Sequence, residues 1–195
     1  NRKLHDGGPM EMHTKHRDTD ATVDENSWDR ADAKVFSDAG WTVPRSMTGV
    51  AGKAYGVLVL SKATLQTSVA TSSTDAEVQG LCASTKEAVW MRIFVLETLL
   101  LTKYEADTSG LIKIPIYGDN MGATKFAREH CTSSKLKAVP LACYYYYESS
   151  QNGKVSCHQI STLLNIADFW TKAHGGVSLD RHRSQWMMKW DPRTA

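Results

Sequence analysis

The sequence predicts an α/β domain in which strands and helices alternate along the chain. Three observations support this prediction. Extended apolar segments occupy residues 35 to about 70, and a long amphipathic helix follows them. A short apolar strand, Ile114–Tyr117, comes next and has an acidic residue close after it. Strands that alternate with helices of this length are typical of α/β folds.

Length and composition fit one ordinary domain with extensions. The chain has 195 residues, 42% of them hydrophobic, and a net charge of +2. A protein that only coats nucleic acid is usually far more basic, so this balance favours an enzyme-like fold. No apolar run approaches the roughly 20 residues of a membrane helix, and we expect no membrane partner. The four cysteines contain no Cys-x-x-Cys pair, which argues against zinc and for a reducing, intracellular compartment.

The first three predicted strands lie close together in the sequence. They span residues 35–41, residues 48–54 and residues 57 to about 70, and a turn near Tyr55-Gly56 joins the last two. The second strand has small residues, Val50-Ala-Gly-Lys-Ala54, where a sheet usually has bulky ones. We therefore expect the sheet to be locally loosened there.

The longest predicted helix begins at Ser73 or Thr74, either of which is a good N-cap. Glu77 then stands at its third or fourth position, on the edge of the buried face. Apolar residues recur at three- and four-residue steps and form one stripe. That stripe consists of Val78, Leu81, Cys82, Val89, Ile93, Leu96 and Leu100.

The second half of the chain continues the alternation. Asp119-Asn120 follows the strand Ile114–Tyr117, at the end where open α/β sheets place their sites. Helices are predicted from there to about Glu129 and again over residues 141–148. A strand over residues 155–160 comes next, and a final helix of about two turns carries Asp168.

Four acidic residues each stand at the end of an apolar stretch, and they are the strongest functional signal in the sequence. They are Asp38, Glu77, Asp119 and Asp168. Carboxylates beside buried elements cost desolvation energy, and four that converge would repel each other. Hard divalent cations relieve both costs, because oxygen atoms are their preferred ligands. Two such cations held by carboxylates are typical of phosphodiester cleavage, so we expect the four side chains to converge.

The segments around these residues also resemble the ribonuclease H domain of copia-type (LTR) retrotransposon polyproteins. The matching segments are Ser37–Trp41 with Arg45–Gly49, Ser72–Val78 with Lys86–Arg92, Ile116–Ala123, and Ile166–Lys172. Their order and spacing both fit, and the resemblance runs from about Val35 to Lys172. It implies the ribonuclease H-like fold, a five-stranded mixed sheet with helices on both faces.

The resemblance also implies a chemistry for the four acidic residues. Asp38 would bridge two Mg²⁺ ions, for which Mn²⁺ is a substitute. Glu77 and Asp119 would hold the ion that stabilises the leaving oxygen, and Asp168 the ion that generates the attacking hydroxide. The substrate would be the RNA strand of an RNA–DNA hybrid, or RNA, recognised by its 2′-hydroxyl groups and groove shape.

Three regions are expected along the chain. Residues 1–30 have few apolar positions and are predicted to be an extended or disordered arm. Residues 31–176 form the ribonuclease H-like domain. Residues 177–195 are predicted to be a C-terminal tail that docks on a partner, because Trp186, Met187 and Trp190 are costly to leave in water. Other protein chains would bind through the two end regions.

A second hypothesis is a domesticated, catalytically idle subunit that serves a structural role in a ribonucleoprotein or organellar assembly. Relatives often carry Lys-His-Ile-Asp where this chain has Lys137-Ala-Val-Pro140, and the chain begins with Asn1, as a fragment or a processed product would. The sequence leaves open whether the site is active. A retroelement product would reside in a cytoplasmic particle, and a domesticated subunit in an organelle.

Overall fold

Five strands form one mixed sheet in the computed structural model, which describes residues 33–98, 112–129 and 143–186. The strands are β1 (Ala33–Gly40), β2 (Met47–Ala54), β3 (Val57–Leu65), β4 (Ile114–Gly118) and β5 (Val155–Gln159). Their spatial order is β3-β2-β1-β4-β5. The first three strands pair antiparallel, while β4 runs parallel to both β1 and β5. The predicted five-stranded mixed sheet is therefore confirmed.

Helices connect and cover the sheet. The α-helices are α1 (Ser73–Thr98), α2 (Met121–Glu129), α3 (Tyr144–Gln151) and α4 (Gly176–Trp186). Two short 3₁₀ helices, Thr162–Leu164 and Ile166–Trp170, follow β5. None of the helices in the described part of the chain is both long and apolar enough to cross a bilayer.

The sheet has a buried core on each face, because neighbouring residues of a strand point to opposite sides. Val35 on β1 packs with Leu81 and Met91 of α1 on one face. Phe36, the next residue, packs with Ile166 and Ala167 on the other face. Asp38 lies two residues beyond Phe36, and its side chain is therefore directed to the face that carries the 3₁₀ helix Ile166–Trp170.

The expectation of a loosened second strand holds on one side only: the register between β2 and β3 shifts between Gly52 and Lys53. The other side is regular. β2 pairs along its whole length with β1, and most of it is buried. Its small residues make room for close neighbours. A Cβ atom at Gly49 would lie 2.7 Å from the Ala167 carbonyl oxygen, and one at Gly52 would lie 2.3 Å from the Met91 Cε atom. The side chains of the strand are small because residues of α1 fill the space over one face and residues of the 3₁₀ helix fill the space over the other.

We expect Gly49→Ala to destabilise the fold more than Gly52→Ala. The obstacle at Gly49 is backbone, which cannot move without displacing the segment that carries Asp168, whereas the Met91 side chain at Gly52 can change rotamer. Overpacking of this kind costs about 1–3 kcal/mol. Chemical denaturation of the two variants measures the difference, and equal losses of unfolding free energy would contradict this account of β2.

The buried face of α1 differs in part from the predicted stripe. Val78, Leu81, Cys82 and Leu96 are buried as expected. Val89 is only half-buried, and the middle of the helix instead buries Ala88, Met91 and Val95. The helix turns this face toward the sheet because Met91 fills the space above Gly52. Leu100 lies outside the described residues.

Asp168 lies on a shorter and tighter helix than expected. The sequence predicts about two α-helical turns, but the structure has the five-residue 3₁₀ helix Ile166–Trp170. Its backbone bonds span three residues: the amide of Asp168 donates to Asn165, and that of Thr171 donates to Asp168. The close backbone contacts at Gly40 and Gly49 hold this segment against the sheet.

The first part of the segment predicted as a docking tail is helical. Residues 177–186 belong to α4, and the partly buried Trp186 packs against the aromatic rings of Phe169 and Trp170. The proposed division into arm, domain and tail stays a prediction. The arm over residues 1–30, residues 187–195 and the Lys137–Pro140 element lie outside the described residues.

Candidate metal centre

The candidate site lies where the parallel strands β1 and β4 end. The two strands pair through Val35 with Ile116 and through Phe36 with Tyr117. Asp38 lies two residues beyond this pairing on β1, and Asp119 directly follows β4. Because the carboxyl ends of parallel strands meet at one edge, both carboxylates reach the same place, as the sequence predicts.

Glu77 reaches this place from the first turns of α1. The helix begins at a well-bonded corner, where the Ser72 hydroxyl accepts from the Asp75 amide at 3.1 Å. Gly80, almost one turn after Glu77, lets the helix lie close to β1: a Cβ atom there would lie 3.4 Å from the Ala39 Cβ atom. This close packing brings the Glu77 carboxylate to the end of β1.

Asp38, Glu77 and Asp119 converge. One carboxylate oxygen from each lies within 4.8 Å of the others. Burial and the neighbouring Asp38 and Asp119 charges raise the pKa of Glu77 to about 9. Burial also raises the pKa of Asp38, against the hydroxyl of Thr171 and the ammonium of Lys172, which lower it. The charged forms of Glu77 and Asp38 are therefore disfavoured as long as no cation is bound between them.

Asp168 lies beside these three carboxylates and has partners of its own. It is 5% exposed, and one of its oxygens accepts a hydrogen bond from the ammonium of Lys172. The other oxygen lies 3.7 Å from Nε2 of His182. The charge of Asp168 raises the pKa of Asp38, although desolvation of Asp38 is the larger cause. Within 4.8 Å, Asp168 groups with His174 and His182 and not with the other three carboxylates, so among the described residues three of the four predicted carboxylates share one group.

Three further residues tie Asp168 to Asp38, and the site predicted from the sequence does not include them. The Thr171 hydroxyl donates to an Asp38 carboxylate oxygen and lies 3.1 Å from the Asp168 carbonyl oxygen. Lys172 adds its positive charge between the acidic groups. Asn165 is fully buried, and its Nδ2 atom donates to the Ser37 carbonyl at 2.9 Å. The preference of Asn for helix N-caps is the signal that identifies Asn165, since its Oδ1 accepts from the Ala167 amide.

Glu77→Gln should stabilise the metal-free chain at pH 8 but not at pH 5. The pKa of Glu77 is higher in the folded chain (about 9) than its ordinary value of 4.5. The folded state thus holds this proton more tightly, and stability falls as pH rises from about 4.5 to about 9. Glutamine removes that loss, which we expect to exceed about 1 kcal/mol, the equivalent of about one pKa unit.

Thermal unfolding with a chelator present, at both pH values, measures this effect. Glu148→Gln is the matched control, because Glu148 is exposed. The Glu77 variant should gain stability relative to wild type as pH rises, and the control should not. A gain that is the same at pH 5 and pH 8 would refute the raised pKa.

Comparison with known proteins supports the fold. No known protein-family profile matches the sequence. The structure is similar to that of RNase H1 from the halophilic archaeon Halobacterium salinarum NRC-1, with 14% sequence identity and a TM-score of 0.50. The match covers 76% of this chain and 97% of that one.

A second solved structure is similar to the same extent. It is the N-terminal RNase H domain of a Mycobacterium tuberculosis protein, studied as a fusion with maltose-binding protein. The identity is 12%, the TM-score 0.50, and the match covers 78% of this chain and 96% of that one. The chain therefore has a ribonuclease H-like fold, and at these identities the likeness concerns the fold alone.

Proposed function

We propose that this chain is a divalent-metal-dependent ribonuclease H that cleaves the RNA strand of RNA–DNA hybrids. The observation that carries the proposal is the convergence of Asp38, Glu77 and Asp119 within 4.8 Å at the ends of β1 and β4. They come from three separate elements of a ribonuclease H-like fold. Fold alone does not give function, so the proposal depends on these side chains.

The residues present fit a hard divalent cation. Their donor atoms are carboxylate oxygens, which Mg²⁺ and Mn²⁺ prefer. Without such a cation, burial and, after it, the repulsion from Asp38 and Asp119 raise the pKa of Glu77 to about 9. Asp38, Glu77 and Asp119 would hold one ion, and Asp38 with Asp168 a second. Bound there, the cations would supply a hydroxide nucleophile and stabilise charge on the phosphate oxygens.

The chain's own residues would prepare the site for that chemistry. Glu77 carries a proton near neutral pH and must release it when a cation binds. The Thr171 hydroxyl fixes the orientation of the Asp38 carboxylate. Lys172, whose side chain is 47% exposed, neutralises Asp168 and is free to turn toward solvent when a cation takes its place.

A copia-type retrotransposon origin is the finer part of the proposal. It is supported by the four matching segments of the sequence, of which Ile166–Lys172 supplies Asp168, Thr171 and Lys172 to the site. Such an enzyme would degrade genomic RNA after reverse transcription, inside a cytoplasmic particle. Cys82, Cys143 and Cys157 are buried and form no disulfide within the described residues, which is compatible with the reducing compartment that the sequence predicts.

A panel of duplexes tests the proposal. The purified full chain is incubated with Mg²⁺ or Mn²⁺ and an RNA–DNA hybrid, an RNA duplex or a DNA duplex of the same sequence, with either strand labelled. We expect cleavage of the RNA strand of the hybrid and neither strand of the DNA duplex. Cleavage that survives a chelator, or DNA cleavage at an equal rate, would contradict the proposal.

The second candidate is a catalytically idle structural subunit, and one observation favours it. The Lys172 ammonium already bonds to Asp168 and adds positive charge beside Asp38 and Asp119, as a built-in substitute for a metal ion would. Lys172→Met distinguishes the two functions. For an enzyme, the variant should bind Mg²⁺ at least as tightly as wild type, because a competing cation is gone. For an idle subunit in which Lys172 takes the place of the metal, wild type should not bind Mg²⁺ at the carboxylates, whether or not the variant does.

A further inference from the structure

His182 is an unusual buried side chain. It lies on α4, is 0% exposed, and neither ring nitrogen forms a hydrogen bond with any residue in the described ranges. The Gln185 side chain lies beside the ring, but the contact lacks hydrogen-bond geometry, and Gln185 Oε1 is likewise buried without a partner. Unsatisfied buried polar groups cost about 1–3 kcal/mol each and call for an unseen partner.

A second imidazole and a carboxylate face His182. One ligand atom each of Asp168, His174 and His182 lies within 4.8 Å of the other two. The two imidazole rings are 4.6 Å apart between centroids, edge to face. Asp168 Oδ2 lies 3.7 Å from His182 Nε2. Ligands around a tetrahedral zinc ion are about 3.3 Å apart, given Zn–N distances of about 2.0–2.1 Å, so a small contraction closes this pair around an ion.

The contacts of His174 allow it to present a lone pair. Its Nδ1 lies 2.8 Å from the Ser178 hydroxyl, and its Nε2 lies 3.2 Å from the Asp168 carbonyl oxygen. Because a carbonyl oxygen only accepts, Nε2 carries the ring proton when no ion is bound, and Nδ1 accepts from the Ser178 hydroxyl. A cation at Nε2 would take the place of that proton, and the Ser178 oxygen can then accept a hydrogen bond from a protonated Nδ1. A second ring nitrogen that is held by an oxygen partner is the usual arrangement of histidine ligands.

Aromatic rings surround this group and fix its geometry. Phe169 stacks on the His174 ring with centroids 5.3 Å apart and planes 4° apart. Trp186 contacts Phe169 edge to face, with centroids 4.0 Å apart, and stacks on His182 with centroids 6.1 Å apart. An apolar surround of this kind restricts water and holds imidazole ligands in place.

We propose that Asp168, His174 and His182 form a binding site for a borderline divalent cation, Zn²⁺ in particular. Two imidazole nitrogens and one carboxylate oxygen suit Zn²⁺ better than Mg²⁺, which takes oxygen ligands. Three protein ligands leave the fourth position to water. The absence of Cys-x-x-Cys pairs, which argues against zinc in the sequence, does not bear on a site built from histidines.

The site shares one ligand with the carboxylate centre. Asp168 cannot bond fully to Lys172, to a Mg²⁺ ion beside Asp38 and to a Zn²⁺ ion at His182. The presence of Mg²⁺ should therefore weaken Zn²⁺ binding, and Zn²⁺ should weaken Mg²⁺ binding by the same factor. The zinc proposal can be tested independently of hybrid cleavage, because the experiment measures only the binding of Zn²⁺ to the protein.

Zn²⁺ titration of the full chain, followed by calorimetry in Mg²⁺-free buffer, tests the site. Wild type should bind one Zn²⁺ that His174→Gln and His182→Asn weaken at least tenfold. The double variant His13→Gln/His16→Gln is the matched control, because it removes two histidines from the arm and should bind as wild type does. Zinc should also raise the unfolding temperature of wild type and the control, but not that of His174→Gln.

Unchanged Zn²⁺ affinity in His174→Gln, or its loss in the His13/His16 control, would overturn the proposal. If His182→Asn does not fold, the proposal is tested with His174→Gln alone. Co²⁺, a spectroscopic substitute for Zn²⁺, is then added to wild type and to this variant. The visible absorption of bound Co²⁺ should show nitrogen ligation in wild type and disappear in His174→Gln. A Co²⁺ spectrum that is identical in both proteins would also overturn it.

Discussion

Asp38→Asn should abolish metal-dependent cleavage of an RNA–DNA hybrid while the chain stays folded. Asp38 is the proposed ligand of both cations, so its loss removes several kcal/mol of transition-state stabilisation, or about a thousandfold in rate and more. Burial raises the pKa of the Asp38 carboxyl, and its charged form therefore destabilises the fold near neutral pH. Asparagine removes that charge, so the unfolding temperature should be equal or higher.

The measurements are the initial rate of RNA-strand cleavage and the thermal unfolding of each protein. Asp180→Asn is the matched control, since Asp180 is exposed on α4 and should change neither quantity. A large loss of thermal stability in Asp38→Asn, in parallel with the loss of activity, would point instead to a structural role for this carboxylate.

Asn165→Ala should cost both stability and metal affinity. Its fully buried side chain bonds the Ser37 carbonyl of β1 and the Ala167 amide of the 3₁₀ helix, so it anchors the segment that carries Asp168. Alanine leaves both backbone groups buried without these partners, which we expect to cost about 2–3 kcal/mol of unfolding free energy. Asp168 and Thr171 then lose their fixed position, and Mg²⁺ affinity should fall at least tenfold.

Denaturant titration and Mg²⁺ calorimetry measure the two effects. Asn152→Ala is the control, because Asn152 is exposed in the turn before β5 and surface changes usually stay within about 0.5 kcal/mol. If Asn165→Ala lost stability but bound Mg²⁺ as wild type does, Asn165 would be part of the core and not a positioning residue for the site.

Much of the fold could be predicted because its signals are local. The extended segment of β1, the N-terminal corner of α1 and the turn at Tyr55-Gly56 depend on neighbouring residues. The small residues of β2 could not be interpreted that way. Gly49 and Gly52 are explained by Ala167 and Met91, which lie 118 and 39 positions further along the chain, and only the packed structure brings them together.

The convergence of three acidic residues could be predicted from the sequence, and the residues that support them could not. Asp38, Glu77 and Asp119 stand at element ends that the sequence marks, and the fold brings them together. Thr171, Lys172 and Asn165 act on residues of β1 that are distant in the sequence. The periodicity of the sequence does not indicate such contacts. The grouping of Asp168 with His174 and His182 also depends on α4, most of which lies in the segment predicted as a tail.

Manganese located by anomalous X-ray diffraction from crystals of the full chain with a non-cleavable RNA–DNA hybrid tests the central claim most directly. The account predicts one Mn²⁺ ion among Asp38, Glu77 and Asp119, and a second between Asp38 and Asp168. Manganese peaks absent from these four carboxylates in a crystal that contains the hybrid would contradict it.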